Sequence, residues 1–279
     1  LNWFEAVIIG AVQGLTEFIP ISSTAHVRIV PALFGWKDPG AAVTAVTQLG
    51  TLAAVLIYFR TDLVHFSRAA VVSVFSYKRR NEWDERTWTD VRMAWFIAIG
   101  TIPIGICGIL LKDMIETEFR SLTIIAGSMI GLAVLLAVAE WTSIRRRTVN
   151  EMGFLDTQAI GWAQALALIP GVSRSGVTIT AGLFIGLKRE AAARFSFLLS
   201  IPAVLASGLF ELKDLLEKGL GGEGLGNLIL ATVVAAIVGY ASIAFLIKWL
   251  QTRSTLIFIL YRITLGILIF YMVHKGIIV

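Results

Sequence analysis

The sequence predicts an all-α polytopic membrane protein: six transmembrane helices plus two re-entrant helical hairpins in an inverted-topology repeat. Three observations lead there. The 279 residues are 57% hydrophobic and 15% charged, with mean hydropathy +0.80, whereas a soluble domain is about 45–50% apolar and about 25% charged. Apolar runs near the roughly 20 residues that a spanning helix needs recur along the chain. Two further apolar runs are cut short by polar, proline-marked stretches, Gln13 to His26 (QGLTEFIPISSTAH) and Pro170 to Thr180 (PGVSRSGVTIT).

Taken in order, residues 3–19 have a helical pattern but carry Glu5, Gln13 and Glu17, which also argues against a plain signal peptide. Pro20 and the Ile21-Ser22-Ser23-Thr24 run break them, and a short apolar piece, 27–35, ends at Gly35. Neither piece is long enough to span, so 3–35 reads as a re-entrant hairpin. Irregular backbone at membrane depth is tolerated where protein buries it or where it lines a cavity. A span is expected at 42–59, an interfacial amphipathic helix at 62–76, a polar loop at 77–92, and spans at 93–111 and 121–139, joined by a short loop of mixed sign at 112–120. After Arg145, Arg146 and Arg147, residues 159–187 repeat the hairpin pattern around Pro170-Gly171. Spans at 195–210, 228–247 and 256–273 complete the chain, with a glycine-rich loop at 211–226.

Loops 60–92, 145–147, 188–194 and 248–253 hold fifteen of the 24 Lys and Arg, and the other side holds seven: Arg28, Lys37, Lys112, Arg120, Lys213, Lys218 and Lys275. By the positive-inside rule the first set is cytoplasmic. The net charge of +5 is then loop bias and contact with anionic lipid, and no nucleic-acid partner is expected. Cys107 stands alone in an apolar run, so no disulfide framework or cysteine metal site forms within one chain.

Each half reads hairpin, span, span, span, so the second half enters the membrane upside down. One membrane domain, 1–279, is expected, with repeats over about 1–140 and 151–279. Weak residue matches agree: Pro20 and Ser23 with Pro170 and Ser173, and Gln13 with Gln164. Inverted repeats of broken helices place a binding site near the midplane, where the breaks meet.

The residues at the breaks suit phosphate. Gly171 to Gly176 precede a short helix whose free amides and positive dipole end would face the centre, a natural anion site. Ser173, Ser175 and Thr178 add donors, and Arg174 adds a guanidinium fork at membrane depth, where charge is costly. In the first break Ser22 or Ser23 can cap the following half-helix. Ser23 shares a helical face with His26, as Gln13 does with Glu17. A buried carboxylate near an anion needs a partner: Arg174 could serve, and a hard divalent cation is more economical. Charge neutralisation, a nucleophile and a proton carrier are what phosphoryl transfer requires. The apolar setting points to a phosphorylated lipid. A carrier of phosphate or lipid-phosphate anions, or a flippase, is the rival reading, since two opposed hairpins are also a transporter plan. Arg262, in the last span, reads as a structural ion pair or carbonyl contact.

QGLTEFIPISSTAH and PGVSRSG together resemble the two signature motifs of the undecaprenyl-diphosphate phosphatases, the bacitracin-resistance phosphatases of bacteria, over essentially the whole chain. The resemblance implies hydrolysis of undecaprenyl diphosphate to the monophosphate carrier used for peptidoglycan, at the outer (periplasmic) face of the cytoplasmic membrane, with Mg or Ca as cofactor. By position it implies catalytic roles for Glu17, Ser23 (the nucleophile), His26 and Arg174. It places Ser22, Thr24, Gly171, Ser173, Ser175, Gly176 and Thr178 on the phosphates, and the metal on Glu17 and Gln13. Gln13 stands where many members have glutamate, which weakens a two-carboxylate metal site. Ala25 stands where many have glycine. Tyr261-Arg262 resembles a family Tyr-Arg pair. Partners are the polyprenyl diphosphate substrate and membrane lipid, with a homodimer left open.

Overall fold

A computed structural model describes residues 1–111, 114, 121–218 and 224–278. Most of the expected loop 112–120, with Lys112 and Arg120, and part of the glycine-rich loop lie outside them. Among the described residues there are eleven α-helices and no strand: α1 (Trp3–Phe18), α2 (Ser23–Phe34), α3 (Gly40–Tyr58), α4 (Arg60–Phe75), α5 (Glu85–Leu110), α6 (Leu122–Thr142), α7 (Phe154–Ala165), α8 (Arg174–Phe184), α9 (Arg189–Lys218), α10 (Leu225–Thr252) and α11 (Leu256–His274).

Local chemistry sets these boundaries. Asn2 and Glu5 form a capping box at the start of α1, each side chain accepting from the other's amide at 2.9 Å. Gly35 ends α2 in the left-handed region and returns its N–H to the Pro31 and Ala32 carbonyls. Asp84 caps α5 through the Thr87 amide at 2.8 Å. That cap starts α5 eight residues before the predicted span at 93, because polar Glu85–Arg92 extends the helix beyond the apolar run.

Five helices are long and apolar enough to cross a membrane: Glu85–Leu110, Leu122–Thr142, Arg189–Lys213, Leu225–Thr252 and Leu256–His274. The last five predicted spans fall on them, one each. The predicted span at 42–59 is α3 and the expected interfacial helix at 62–76 is α4. The two meet at a bend of 81°, and the crossings number five, or six with this bent pair taken as one span. The protein is an integral, multi-pass membrane protein.

The short helices lie against the long ones. α1 packs on α10, and α7 on α5; α6 pairs with α11, and α3 runs between α9 and α10. Glycine permits the first two approaches. A Cβ on Gly14 would meet Val238 Cβ at 2.8 Å, and one on Gly161 would meet the Gly100 backbone at 2.5–3.2 Å. The main core joins Phe18, Leu183, Leu187, Phe195, Phe197, Leu198 and Ile243 from α1, α8, α9, α10 and the turn before α9.

One end of the bundle gathers the four basic segments. Glu140, at the end of α6, receives Arg189 (Nε to Oε1 at 2.9 Å), Arg145 (3.1 Å) and the Thr255 hydroxyl (2.8 Å). Arg194 meets Asp62 at 2.7 Å, and Arg147 meets Asp156 at 2.5 Å. A cavity of about 840 Å³ at this end is lined by Asp62, Asp84, Arg86, Asp90, Glu190 and Arg194, among others.

Candidate active site

Both breaks are built around a serine with a rare backbone. Ser22 caps α2 at φ 77° and Ser173 caps α8 at φ 70°. Each side-chain oxygen accepts from the amide three residues on, Ala25 N at 3.4 Å and Gly176 N at 3.1 Å. A positive φ on a residue other than glycine costs on the order of 1–3 kcal/mol and persists where surrounding contacts fix it. The two serines are 151 residues apart, as are Gln13 and Gln164, both fully buried. Superimposing the caps pairs Ser22 with Ser173 and Ser23 with Arg174, whereas the sequence match paired Ser23 with Ser173; Pro20 and Pro170 stand at different distances before the two caps.

Arg262 supplies the fixing contacts. It is fully buried on α11 and donates to carbonyls of both breaks: Gly171 O at 2.9 Å, Val172 O at 3.1 Å and Pro20 O at 3.3 Å. Its Nε reaches Met129 O on α6 at 3.1 Å. The expected carbonyl contact is what the structure contains, and it ties the two breaks to one side chain.

Between the breaks the charged and hydroxyl groups converge. Arg174, from the second break, pairs with Glu17 Oε1, at the end of α1. Glu17 Oε2 accepts from Ser23 Oγ and from Gln13 Nε2, each at 2.8 Å. Four residues predicted for the site thus form one hydrogen-bonded cluster. The ion pair is a direct contact, as one of the two sequence readings of Glu17 anticipated. Ser175 Oγ lies 3.2 Å from Ser173 Oγ and donates to Ile19 O at 3.4 Å, a second link across the breaks.

The other expected residues divide. Thr24 is exposed and lines a cavity of about 270 Å³ together with Thr44, Gln48, Leu168 and Pro170. This cavity is bordered by a residue of each break, Thr24 and Pro170, while none of the four cluster residues lines it, and the larger cavity lies at the other end of the molecule. The Gly176 amide is taken by Ser173, and the Gly171 carbonyl by Arg262. Gly171, at φ 94°, has the Ile125 backbone where a Cβ would go. Thr178 is buried and bonds Arg174 O at 2.7 Å and Ser196 Oγ at 2.6 Å, away from the cavity lining. His26 Nδ1 faces Ser22 O at 2.7 Å and Nε2 faces the Tyr261 hydroxyl at 2.6 Å.

Among the described residues, no group of three or more His, Cys, Asp and Glu side chains is placed to hold a metal ion. The cluster does offer hard oxygen donors. Gln13 Oε1 is buried without a hydrogen-bond partner, beside the Glu17 carboxylate. Gln13 Oε1 and the Glu17 carboxylate are the oxygens of the type a hard divalent cation would take.

Sequence reasoning did not single out Thr44, Gln48 or Ser196. Each is a polar residue inside an apolar span, the one signal that marked them. The hydroxyl of Thr44 also bonds its own helix, at Gly40 O, which is the ordinary reason for a threonine there.

The sequence matches the family described as "Bacitracin resistance protein BacA" over residues 6–268. It is 52% identical over 276 residues to an undecaprenyl-diphosphatase of Myxococcus xanthus, covering 99% of this chain and 91% of that protein. It is 53% identical over 284 residues to an undecaprenyl-diphosphatase of Chlorobium phaeobacteroides, covering 99% of both. A third undecaprenyl-diphosphatase, from Chloroherpeton thalassium, is 51% identical over 99% of this chain and 98% of its own.

Proposed function

The chain belongs to the BacA family of bacitracin resistance proteins, and we infer from that membership and from the cluster at the breaks how its residues divide the work. It hydrolyses undecaprenyl diphosphate to undecaprenyl phosphate and inorganic phosphate, recycling the lipid carrier of peptidoglycan synthesis. Bacitracin resistance fits the family name. The observation that carries the assignment of residues is the meeting of Glu17, Ser23 and Arg174 across two breaks far apart in sequence.

Arg174 is spent on Glu17 in the structure. An arriving diphosphate competes for the guanidinium, whose planar fork suits phosphate oxygens. Moving Arg174 onto the phosphate leaves Glu17 free to accept a proton. Ser23 Oγ then attacks the terminal phosphorus and gives its proton to Glu17 Oε2, the oxygen it already touches. The bond from phosphorus to the bridging oxygen breaks, and undecaprenyl phosphate leaves. Water hydrolyses the phosphoserine, releasing inorganic phosphate and regenerating Ser23. Glu17 gives up its proton, and His26, three residues along α2 from Ser23, is the proton carrier of the site. The Arg174 and Ser175 amides, at the start of α8, add donors for phosphate oxygens, with Thr24 in the cavity that borders both breaks. Ser22 and Ser173 act through the backbone they cap. A divalent cation, Mg or Ca, would be held by Glu17 and Gln13 Oε1 and would neutralise charge on the diphosphate.

The fold reading follows the same lines. The two broken pairs, α1 with α2 and α7 with α8, are re-entrant hairpins, and the halves are inverted repeats. Support comes from the twin serine caps and from reciprocal packing, α1 on the α10 of the other half and α7 on α5. The site opens to the periplasm. The 270 Å³ cavity adjoins Arg28 and Asp38, at the end opposite the convergent basic loops, and basic loops stay in the cytoplasm.

Phosphate release by purified protein in detergent tests the assignment, because nothing can be transported there. Release by the parent protein and loss of at least 100-fold in both Glu17→Ala and Arg174→Ala are expected, on the order of what a lost electrostatic contact costs at a transition state. Full activity in either variant overturns it.

A further inference from the structure

We propose that Tyr261 is a positioning residue of the phosphatase reaction, acting through His26. The proposal rests on the reading of His26 as an active-site residue.

Three contacts fix the His26 ring. Nδ1 lies 2.7 Å from the Ser22 carbonyl oxygen, which only accepts, so Nδ1 carries a proton. In the neutral ring Nε2 is then the basic atom, and it accepts from the Tyr261 O–H at 2.6 Å. The two rings also stack, with centroids 5.6 Å apart and planes within 9°. The histidine is thus held in one orientation and one tautomer, from the strained cap residue on one side and from α11 on the other.

Tyr261 is itself well anchored. Its neighbour Arg262 grips Gly171, Val172 and Pro20, so this turn of α11 is tied to the frame that assembles Glu17, Ser23 and Arg174. A 3.6-residue turn points consecutive side chains about 100° apart. One residue can therefore hold the breaks while the next meets α2. Exposure differs sharply within the pair: His26 is 9% exposed and Tyr261 is 42%. The tyrosine covers the basic nitrogen, and the hydroxyl defines where that nitrogen points. Arg262 on α11, beside Tyr261 in sequence, is the charged group whose field reaches the imidazole; Arg28 stands two residues further along α2, and the stretch of α6 that packs here, Leu122 to Met129, has no charge.

The test is a double-mutant cycle on the full chain in detergent, with phosphate release measured against undecaprenyl diphosphate concentration. Tyr261→Phe keeps the stacked ring and removes the hydroxyl, and thermal unfolding of each variant checks the fold. The proposal expects kcat to fall about tenfold in Tyr261→Phe while KM stays within about twofold, the mark of a contact that matters in the transition state. It also expects the hydroxyl's loss to cost nothing further in a His26→Gln background, since the effect runs through the imidazole. Parent-like kcat in Tyr261→Phe, when His26→Gln is impaired, overturns the proposal and leaves the role of His26 standing. Equal losses from Tyr261→Phe in both backgrounds also overturn it. Parent-like activity of His26→Gln removes the active-site reading of His26 and the proposal with it.

Discussion

The guanidinium of Arg262 donates to the carbonyl of Gly171 at 2.9 Å, and the same group reaches the carbonyl of Pro20, the position that corresponds to Gly171 when the serine caps are superimposed. One side chain therefore grips the same point of both breaks. Its charge is solvated by carbonyls in place of water, and those carbonyls belong to backbone that no helix can satisfy.

Replacing Arg262 by Ala removes donors from several buried carbonyls at once. An unsatisfied buried group costs about 1–3 kcal/mol, so Arg262→Ala should lower the unfolding temperature markedly and abolish phosphate release. Arg262→Lys keeps the charge but has no planar fork, and should recover only part of the stability. Thermal unfolding in detergent ranks the three proteins.

Ser23→Ala removes the nucleophile in the proposed reaction while Glu17 and Arg174 keep their pairing. Phosphate release should fall at least 100-fold, on the scale of losing a nucleophile or an electrostatic contact at the reacting centre, with unfolding within about 0.5 kcal/mol of the parent, as for a part-exposed contact. Mass spectrometry of quenched turnover should find phosphate on Ser23. Normal turnover in Ser23→Ala would sink covalent catalysis and leave direct attack by water.

Gly171 sits at φ 94° with the Ile125 backbone against its α-carbon. Gly171→Ala forces either the break or α6 to move. Expression and thermal stability should both drop, whereas Gly131→Ala, where a Cβ meets open space, should behave like the parent or better, because alanine favours the helix. Equal stability of the two variants would show that the break is looser than its geometry implies.

At the basic end, Asp156 accepts from Arg147 at 2.5 and 3.2 Å and from the Gly153 amide at 2.8 Å. Burial works against its charge, but these bonds and the Arg147 charge outweigh it and hold the carboxyl below the usual carboxylate range. A depressed pKa in the folded state adds stability that is present above the unfolded value, about 3.9, and is lost as pH falls through the folded one. The stability advantage of the parent over Asp156→Asn should therefore hold from pH 7 to about 5 and shrink below about 4. Thermal unfolding across that range measures it, and an advantage that grows on acidification contradicts the sign.

The chain's own residues made much of this legible. Apolar runs located the spans, because a bilayer leaves few other places for them. Glycine, proline and hydroxyl residues marked both breaks, since polar side chains and irregular backbone are tolerated at membrane depth only under protein cover. Arg174 and Arg262 stood out for the same reason. The sequence reading also put Gln13, Glu17, Ser23 and Arg174 in one site.

Tertiary packing decided the rest. Which serine caps which helix depends on a φ that residue spacing does not encode. Whether Glu17 meets an arginine directly depends on where α8 stops against α1. The partner of His26 lies 235 residues away on another helix; the resemblance marked the Tyr261-Arg262 pair but not the contact that the tyrosine makes. The sequence by itself determined which groups must be buried together, because an isolated polar group in hydrocarbon is too costly to keep. Only the folded bundle decided which atoms meet, because hydrogen-bond geometry is set by helix contacts between distant parts of the chain.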